Sequence, residues 1–126
     1  MTWEMIGLVI WVLFTHWWSD FVCQTDAMAK NKSTSNIYLS AHVMALMAVW
    51  SFFFVGILVD FGLGVYASFI LINGGLHWLV DWITSRWVSY YHKKDEIHEM
   101  FVIIGFDQFL HISCYLIVGH WLGIFG

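Results

Sequence analysis

The chain has 126 residues, of which 60% are apolar, 20% aromatic and only 11% charged, with no proline and a formal net charge of −4. A soluble domain carries about a quarter charged residues, so a water-covered domain is excluded, and the mean hydropathy of +0.73 points to an integral membrane protein. Five Lys and Arg residues cannot make the basic stripe that phosphate neutralisation demands, which excludes nucleic acid as a partner.

A bilayer core takes about 20 predominantly apolar residues per helix. Residues 3–22, 38–59, 62–87 and 100–125 meet that requirement. The N-terminal Met1-Thr2-Trp3-Glu4 lacks a basic flank and no small-residue cleavage site follows, so the first apolar run is expected to persist as a span. A polar loop over 24–36, a very short turn at Asp60-Phe61-Gly62 and a charged loop over 89–99 join the spans. Short connections make successive helices antiparallel. The expected fold is therefore all-α, a four-transmembrane-helix bundle in which residues 1–126 form a single transmembrane domain.

Lys30 and Lys32 lie in the first loop, and Arg86, Lys93 and Lys94 flank or occupy the third, while the Asp60 turn and both termini carry no Lys or Arg. The positive-inside rule then predicts that these two loops face the cytoplasm and both termini face outward across the inner membrane. Trp3 and Trp121 fall at the outer interface, and Trp82 and Trp87 at the inner one, where aromatic belts belong. Cys23 and Cys114 lie in apolar runs and read as small packing residues.

An Asp at a helix centre costs about 2.5–3.5 kcal/mol on insertion scales, so ionisable groups inside spans are functional candidates. They are His16, Asp20, His42, His77, Asp81, Asp107 and His111, and counting along the spans puts all of them in the cytoplasmic half. His16/Asp20, His77/Asp81 and Asp107/His111 are i, i+4 pairs that share a helix face. Imidazole and carboxylate suit zinc, iron, manganese or nickel, and the lack of convergent thiolates argues against a cysteine-rich site. Four His and three Asp suffice for one or two divalent ions, zinc foremost. The plainer reading is that buried His–Asp pairs join helices by hydrogen bonds alone. His120 reads as an interfacial residue, and His92 and His98 as solvated loop residues.

His16-Trp17-Trp18-Ser19-Asp20-Phe21 recurs 61 residues later as His77-Trp78-Leu79-Val80-Asp81-Trp82. Both copies are on spans expected to run outside to inside, so the chain is expected to contain a parallel internal repeat, helices 1–2 and 3–4, with the two motif faces meeting at the bundle centre.

Three blocks carry a resemblance. They are His16-x3-Asp20-Phe21-x2-Gln24-Thr25-Asp26-x-Met28-Ala29-x-Asn31-Lys32, His77-x3-Asp81-x2-Thr84-Ser85-Arg86, and Phe101-x3-Gly105-x-Asp107-Gln108-x2-His111. In this order they resemble the small polytopic membrane family termed domain of unknown function 3307, found in bacteria and tailed phages. The resemblance implies a four-span inner-membrane protein and brings no activity with it. A looser likeness of pattern is to membrane-bound metal-dependent hydrolases. The resemblance also draws in Gln24, Asp26, Lys32, Ser85 and Arg86, which read either as a solvated rim or as a binding site for an anionic head group.

Three functions stay open. The first is a metal-dependent hydrolase acting at the cytoplasmic leaflet on a lipid or amphiphilic ester or phosphoester, with Asp20 or Asp81 as general base. The second is an ion or proton pathway, which with four spans requires a homo-oligomer. The third is a non-enzymatic membrane protein that acts by interaction or envelope modification around a structural His/Asp core. A di-iron oxidase is disfavoured because the Glu-x-x-His pattern of such bundles is missing.

Overall fold

In the computed structural model, which describes residues 2–126, every long element is a helix. Helix α1 (Trp3–Trp17) is capped by Thr2, whose hydroxyl accepts from the Met5 amide, and continues into a π-helical turn at Trp18–Val22. The short α2 (Asp26–Asn31) is capped by Thr25, which accepts from the Met28 amide at 3.2 Å. Helices α3 (Asn36–Phe53), α4 (Val55–Lys93) and α5 (Ile97–Trp121) follow. Among the described residues, four helical stretches are long and apolar enough to cross a membrane: Trp3–Val22, Asn36–Phe53, Val55–Lys93 and Ile97–Trp121. Only 17% of the most apolar window of α4 is buried, so its apolar surface needs lipid to cover it.

The second apolar run divides earlier than its composition predicts. Helix α3 stops at Phe53, residues 55–61 make two further helical turns, and the chain then reverses at Gly62, whose φ of 85° and ψ of 172° interrupt α4. That conformation is essentially restricted to glycine. Beyond it, residues 63–93 would extend about 46 Å at 1.5 Å per residue. This exceeds the roughly 30 Å hydrocarbon core, so α4 is longer than a perpendicular span requires. Asp95, at φ 60°, closes α4: its amide bonds the His92 carbonyl at 3.1 Å and the Glu96 amide bonds Tyr91 at 3.0 Å. This is a Schellman stop with Asp in the left-handed position usually given to glycine.

Contacts set the helix directions. Tyr66 donates to the Ser51 carbonyl and Trp78 Nε1 donates to Ser40 Oγ, which makes α3 and α4 antiparallel. Helix α5 returns along α4, bringing Asp107 beside Thr84 and His111 beside Asp81. Helices α1 and α4 therefore run in the same direction, but α1 ends in the π-turn where α4 continues as an α-helix. A Cβ on Gly74 would run into the Met47 side chain, so this glycine lets α3 approach α4 closely.

The interior has two zones. Toward the Asp60 end it is apolar, with Val12, Leu46, Trp50, Phe54, Phe69 and Val118 in one cluster. Trp50 stands T-shaped against Tyr115 with ring centroids 4.4 Å apart. Toward the end carrying the basic loops the interior is polar. His16, Asp20, His42, His77, Asp81, Asp107 and His111 are all buried there, none more than 8% exposed. Cys23 and Cys114 are free thiols. His92, His98 and His120 are exposed.

Candidate metal centre

Asp20 reaches the centre on the π-turn, and a buried serine explains the turn. Ser19 Oγ lies 2.8 Å from the Thr15 carbonyl and 3.2 Å from that of His16, competing with the backbone for its acceptors. The Cys23 amide then bonds back five residues to Trp18 at 2.9 Å. Trp50 Nε1 donates to Ser19 Oγ at 2.9 Å, tying this turn to α3. Single π-turns inside helices are frequent at functional sites because they re-aim one side chain without ending the helix.

Four ligand atoms converge from three helices. His42 Nε2 lies 2.9 Å from Asp20 Oδ1 and 3.3 Å from Asp81 Oδ2, and His77 Nε2 lies 3.3 Å and 3.5 Å from the same two oxygens. The two Nε2 atoms are 3.3 Å apart. Four ligands placed tetrahedrally at about 2.0–2.1 Å from an ion stand roughly 3.3 Å from one another. The measured separations match that frame. Asp20 Oδ1 is also buried without a hydrogen-bond partner, although His42 Nε2 is so near. A buried carboxylate oxygen in that state is costly unless a cation satisfies it. Asp20, His42, His77 and Asp81 can thus hold a metal ion.

A second group lies alongside: Asp20, Asp107 and His111 offer ligand atoms within 4.8 Å of one another. His111 Nε2 is 3.1 Å from Asp81 Oδ1 and 3.3 Å from Asp107 Oδ1. Thr84 Oγ1 donates to Asp107 Oδ1, and Gln108 Nε2 donates to Asp107 Oδ2 at 2.9 Å.

His16 stands outside both groups, with its Nε2 3.6 Å from Asp20 Oδ2, and belongs to a hydrogen-bonded chain. An imidazole that ligates through Nε2 carries its proton on Nδ1. His77 Nδ1 then donates to the Tyr115 hydroxyl oxygen at 3.1 Å, and Tyr115 donates to His16 Nδ1 at 2.9 Å. That leaves the His16 proton on Nε2, where Gln108 Oε1 accepts it at 2.7 Å. The amide nitrogen of Gln108 is left facing Asp20 Oδ2 at 3.3 Å and Asp107 Oδ2. Each donor in the chain finds an acceptor. Tyr115 and Gln108 were not among the candidate residues read from the sequence. The available signal was spacing, since Tyr115 continues the Asp107/His111 stripe by one more step of four.

The centre opens on a cavity of about 190 Å³ at the basic end. Asp20, Asp81, Asp107 and Gln108 form its polar floor, and Phe21, Ala29, Val88 and Ile104 an apolar side. Gln24, Lys32 and Ser85 line it as well. Gln24 Oε1 and Ser85 Oγ are buried there without partners. Lys32, delivered by the end of α2, places Nζ 3.1 Å from Asp81 Oδ2. Burial lowers the pKa of its ammonium, but the Asp81 and Asp20 carboxylates outweigh that and hold it above the ordinary lysine value. Asp26 is exposed in the first turn of α2. Arg86 turns aside, donating to the Trp82 carbonyl at 2.6 Å and to Asn36 Oδ1 at 3.2 Å. Together with Lys93 and Lys94 it lines a separate surface depression.

These features define a class: a polytopic helical membrane protein with a buried His/Asp centre able to hold metal. The chain belongs to the family of proteins of unknown function DUF3307, whose model matches residues 8–125. No curated protein and no solved structure matches it.

Proposed function

We propose that this protein is a zinc-dependent hydrolase acting at the cytoplasmic leaflet of the inner membrane on an ester or phosphoester of a lipid or other amphiphile. The observation that carries this reading is that the two carboxylates of the metal-capable tetrad, Asp20 and Asp81, lie on the floor of a cavity that is polar on one side and apolar on the other. An amphiphile entering from the interface meets the apolar wall with its chain and the polar floor with its head. Asp20, His42, His77 and Asp81 would hold the ion, which when bound would supply Lewis acidity toward the scissile group and lower the pKa of water toward neutrality. Asp20 keeps Oδ2 outside the tetrad and is the proton acceptor within the site. Water oxygen bonds to the acyl carbon or phosphorus, the bond to the ester oxygen breaks, and the proton taken from water leaves with the alcohol. Lys32 Nζ and Ser85 Oγ donate to head-group oxygens, and Gln24 Oε1 accepts from a head-group hydroxyl or amine.

A non-enzymatic protein with a structural metal core is the second reading. It is favoured by the fact that four protein ligands already fill a tetrahedral site, as in structural zinc centres. An ion pathway is disfavoured by the apolar cluster that closes the other half of the bundle.

The test is metal analysis of protein purified in mild detergent, paired with hydrolysis of chromogenic carboxylic and phosphoric esters in mixed micelles. Bound metal with hydrolysis, both lost in His77→Ala, is the expected result. Bound metal without turnover of either ester class would establish the structural reading. Metal-free protein whose stability is unchanged by chelator would leave only a hydrogen-bonded core.

A further inference from the structure

We infer that the centre takes two divalent ions, the second held by Asp20, Asp107 and His111 and open to the cavity, with Asp81 Oδ1 beside it at 3.1 Å from His111 Nε2. Asp20 belongs to both groups, whereas Asp107 and His111 belong to the second alone. Asp81 gives Oδ2 to the His42/His77 side and turns Oδ1 to His111, so a single carboxylate faces two sites. The separations of 3.1 Å and 3.3 Å around His111 Nε2 repeat those of the tetrad. The His77 and His111 rings are stacked 3.8 Å apart with their planes 12° from parallel, and both present Nε2 to the same Asp81 carboxylate. Parallel ligands at that spacing suit two ions about 3.5–4 Å apart. Thr84 donates to Asp107 Oδ1, the oxygen 3.3 Å from His111 Nε2, and Gln108 donates to Oδ2, so both fix the carboxylate beside His111.

Charge and openness give the second ion a purpose. Asp20, Asp81, Asp107 and Lys32 together carry −2, counting the imidazoles as neutral. One divalent ion brings the centre to neutrality and two bring it to +2, which complements an anionic phosphoryl group. With four protein ligands the tetrad would admit water only by expanding to five-coordination, whereas three protein ligands leave a tetrahedral position free, the arrangement of catalytic zinc sites. Asp20 and Asp107 line the cavity, so the free position faces it. The substrate class is therefore a phosphoester in preference to a neutral carboxylic ester. This last step rests on the hydrolase reading; the number of ions does not.

Zinc titration of the chelator-stripped protein in detergent, with metal counted per chain, tests the inference. Two equivalents are expected in the wild type and one in Asp107→Asn, with phosphoester turnover lost in the variant. Cobalt-loaded wild type should show the magnetic coupling of a carboxylate-bridged pair, a readout that requires no variant to fold. One equivalent in the wild type, unchanged in Asp107→Asn, would overturn the second site and leave a one-ion hydrolase standing; His111 would then be a hydrogen-bonding cation between Asp81 and Asp107. No bound zinc in the wild type would overturn both readings. Two ions with turnover of carboxylic esters alone would remove the substrate assignment.

Discussion

Asp20 Oδ1 and His42 Nε2 stand 2.9 Å apart at the centre of the bundle without sharing a hydrogen bond. A hydrogen-bonded structural core would align such a pair; a ligand set aims both atoms at a third point. Asp20→Asn keeps the shape of the side chain and removes the anionic charge. It is expected to abolish stoichiometric metal binding while leaving the helical circular dichroism in detergent unchanged. Full retention of metal in Asp20→Asn would remove this residue from the ligand set.

The chain from His77 through Tyr115 and His16 to Gln108 fixes which nitrogen of each imidazole is protonated. Groups that orient metal-ligating imidazoles typically contribute about 10–100-fold in metal affinity or activity. Tyr115→Phe keeps the ring packed on Trp50 and deletes only the hydroxyl. The expected outcome is metal binding weaker by that factor, with an altered visible spectrum of the cobalt-loaded protein. Competition with a chromophoric chelator measures the affinity, and an unchanged constant would make the chain irrelevant to ligation.

The fold and the centre were unequally legible in the sequence. Apolar length and scarce charge were enough for a four-helix membrane bundle, because nothing but lipid can cover helices as apolar as α4. The i, i+4 pairs placed His77 with Asp81 and Asp107 with His111, since those pairs lie on uninterrupted α-helix. The π-turn at Trp18–Val22 was not legible, because it depends on Ser19 being gripped by Trp50 from another helix. For the same reason spacing could not separate His16, which turns to Gln108 and Tyr115, from the imidazoles that face the carboxylates. Lys32 and Arg86 looked equivalent as basic rim residues. Only the packing of α2 sends Lys32 inward to Asp81, while Arg86 folds back on Trp82 and Asn36.

Gly62 offers a test of the turn between α3 and the long part of α4. No atom lies within 4 Å of where its Cβ would be, so the cost of a side chain there is backbone strain alone. Gly62→Ala is expected to destabilise the protein by about 1–3 kcal/mol, the usual cost of a strained backbone conformation. Thermal unfolding in detergent measures it. A variant as stable as the wild type would mean that the reversal at residue 62 takes another form.

Every Lys and Arg residue lies toward one end of the bundle, in or beside the loops that also carry the cavity mouth. The positive-inside rule predicts that this end is cytoplasmic, with both termini outside. In a background with Cys23 and Cys114 replaced, cysteines at positions 31 and 94 should resist membrane-impermeant reagents in intact cells and react after permeabilisation. Efficient labelling of intact cells at both positions would reverse the topology and move the site to the other leaflet.

Lys32 is the residue whose role separates substrate binding from metal binding. Its ammonium meets Asp81 Oδ2 from the cavity side, and its raised pKa keeps it charged through neutral pH. A cation beside a ligating carboxylate weakens that carboxylate's hold on a metal ion, so nothing in the ligand set calls for Lys32. An anionic head group in the cavity does call for it, because the ammonium can turn from Asp81 to the incoming oxygen at little cost. Lys32→Met keeps the apolar stem and removes the charge. The expected outcome is unchanged or tighter metal binding together with kcat/KM for a phosphoester lowered by about 10-fold or more, corresponding to the roughly 1.5–3 kcal/mol of a charge-assisted hydrogen bond. Most of that loss should appear in KM if Lys32 holds the substrate equally in the ground and transition states. Parallel loss of metal and activity would instead assign Lys32 to the architecture of the centre.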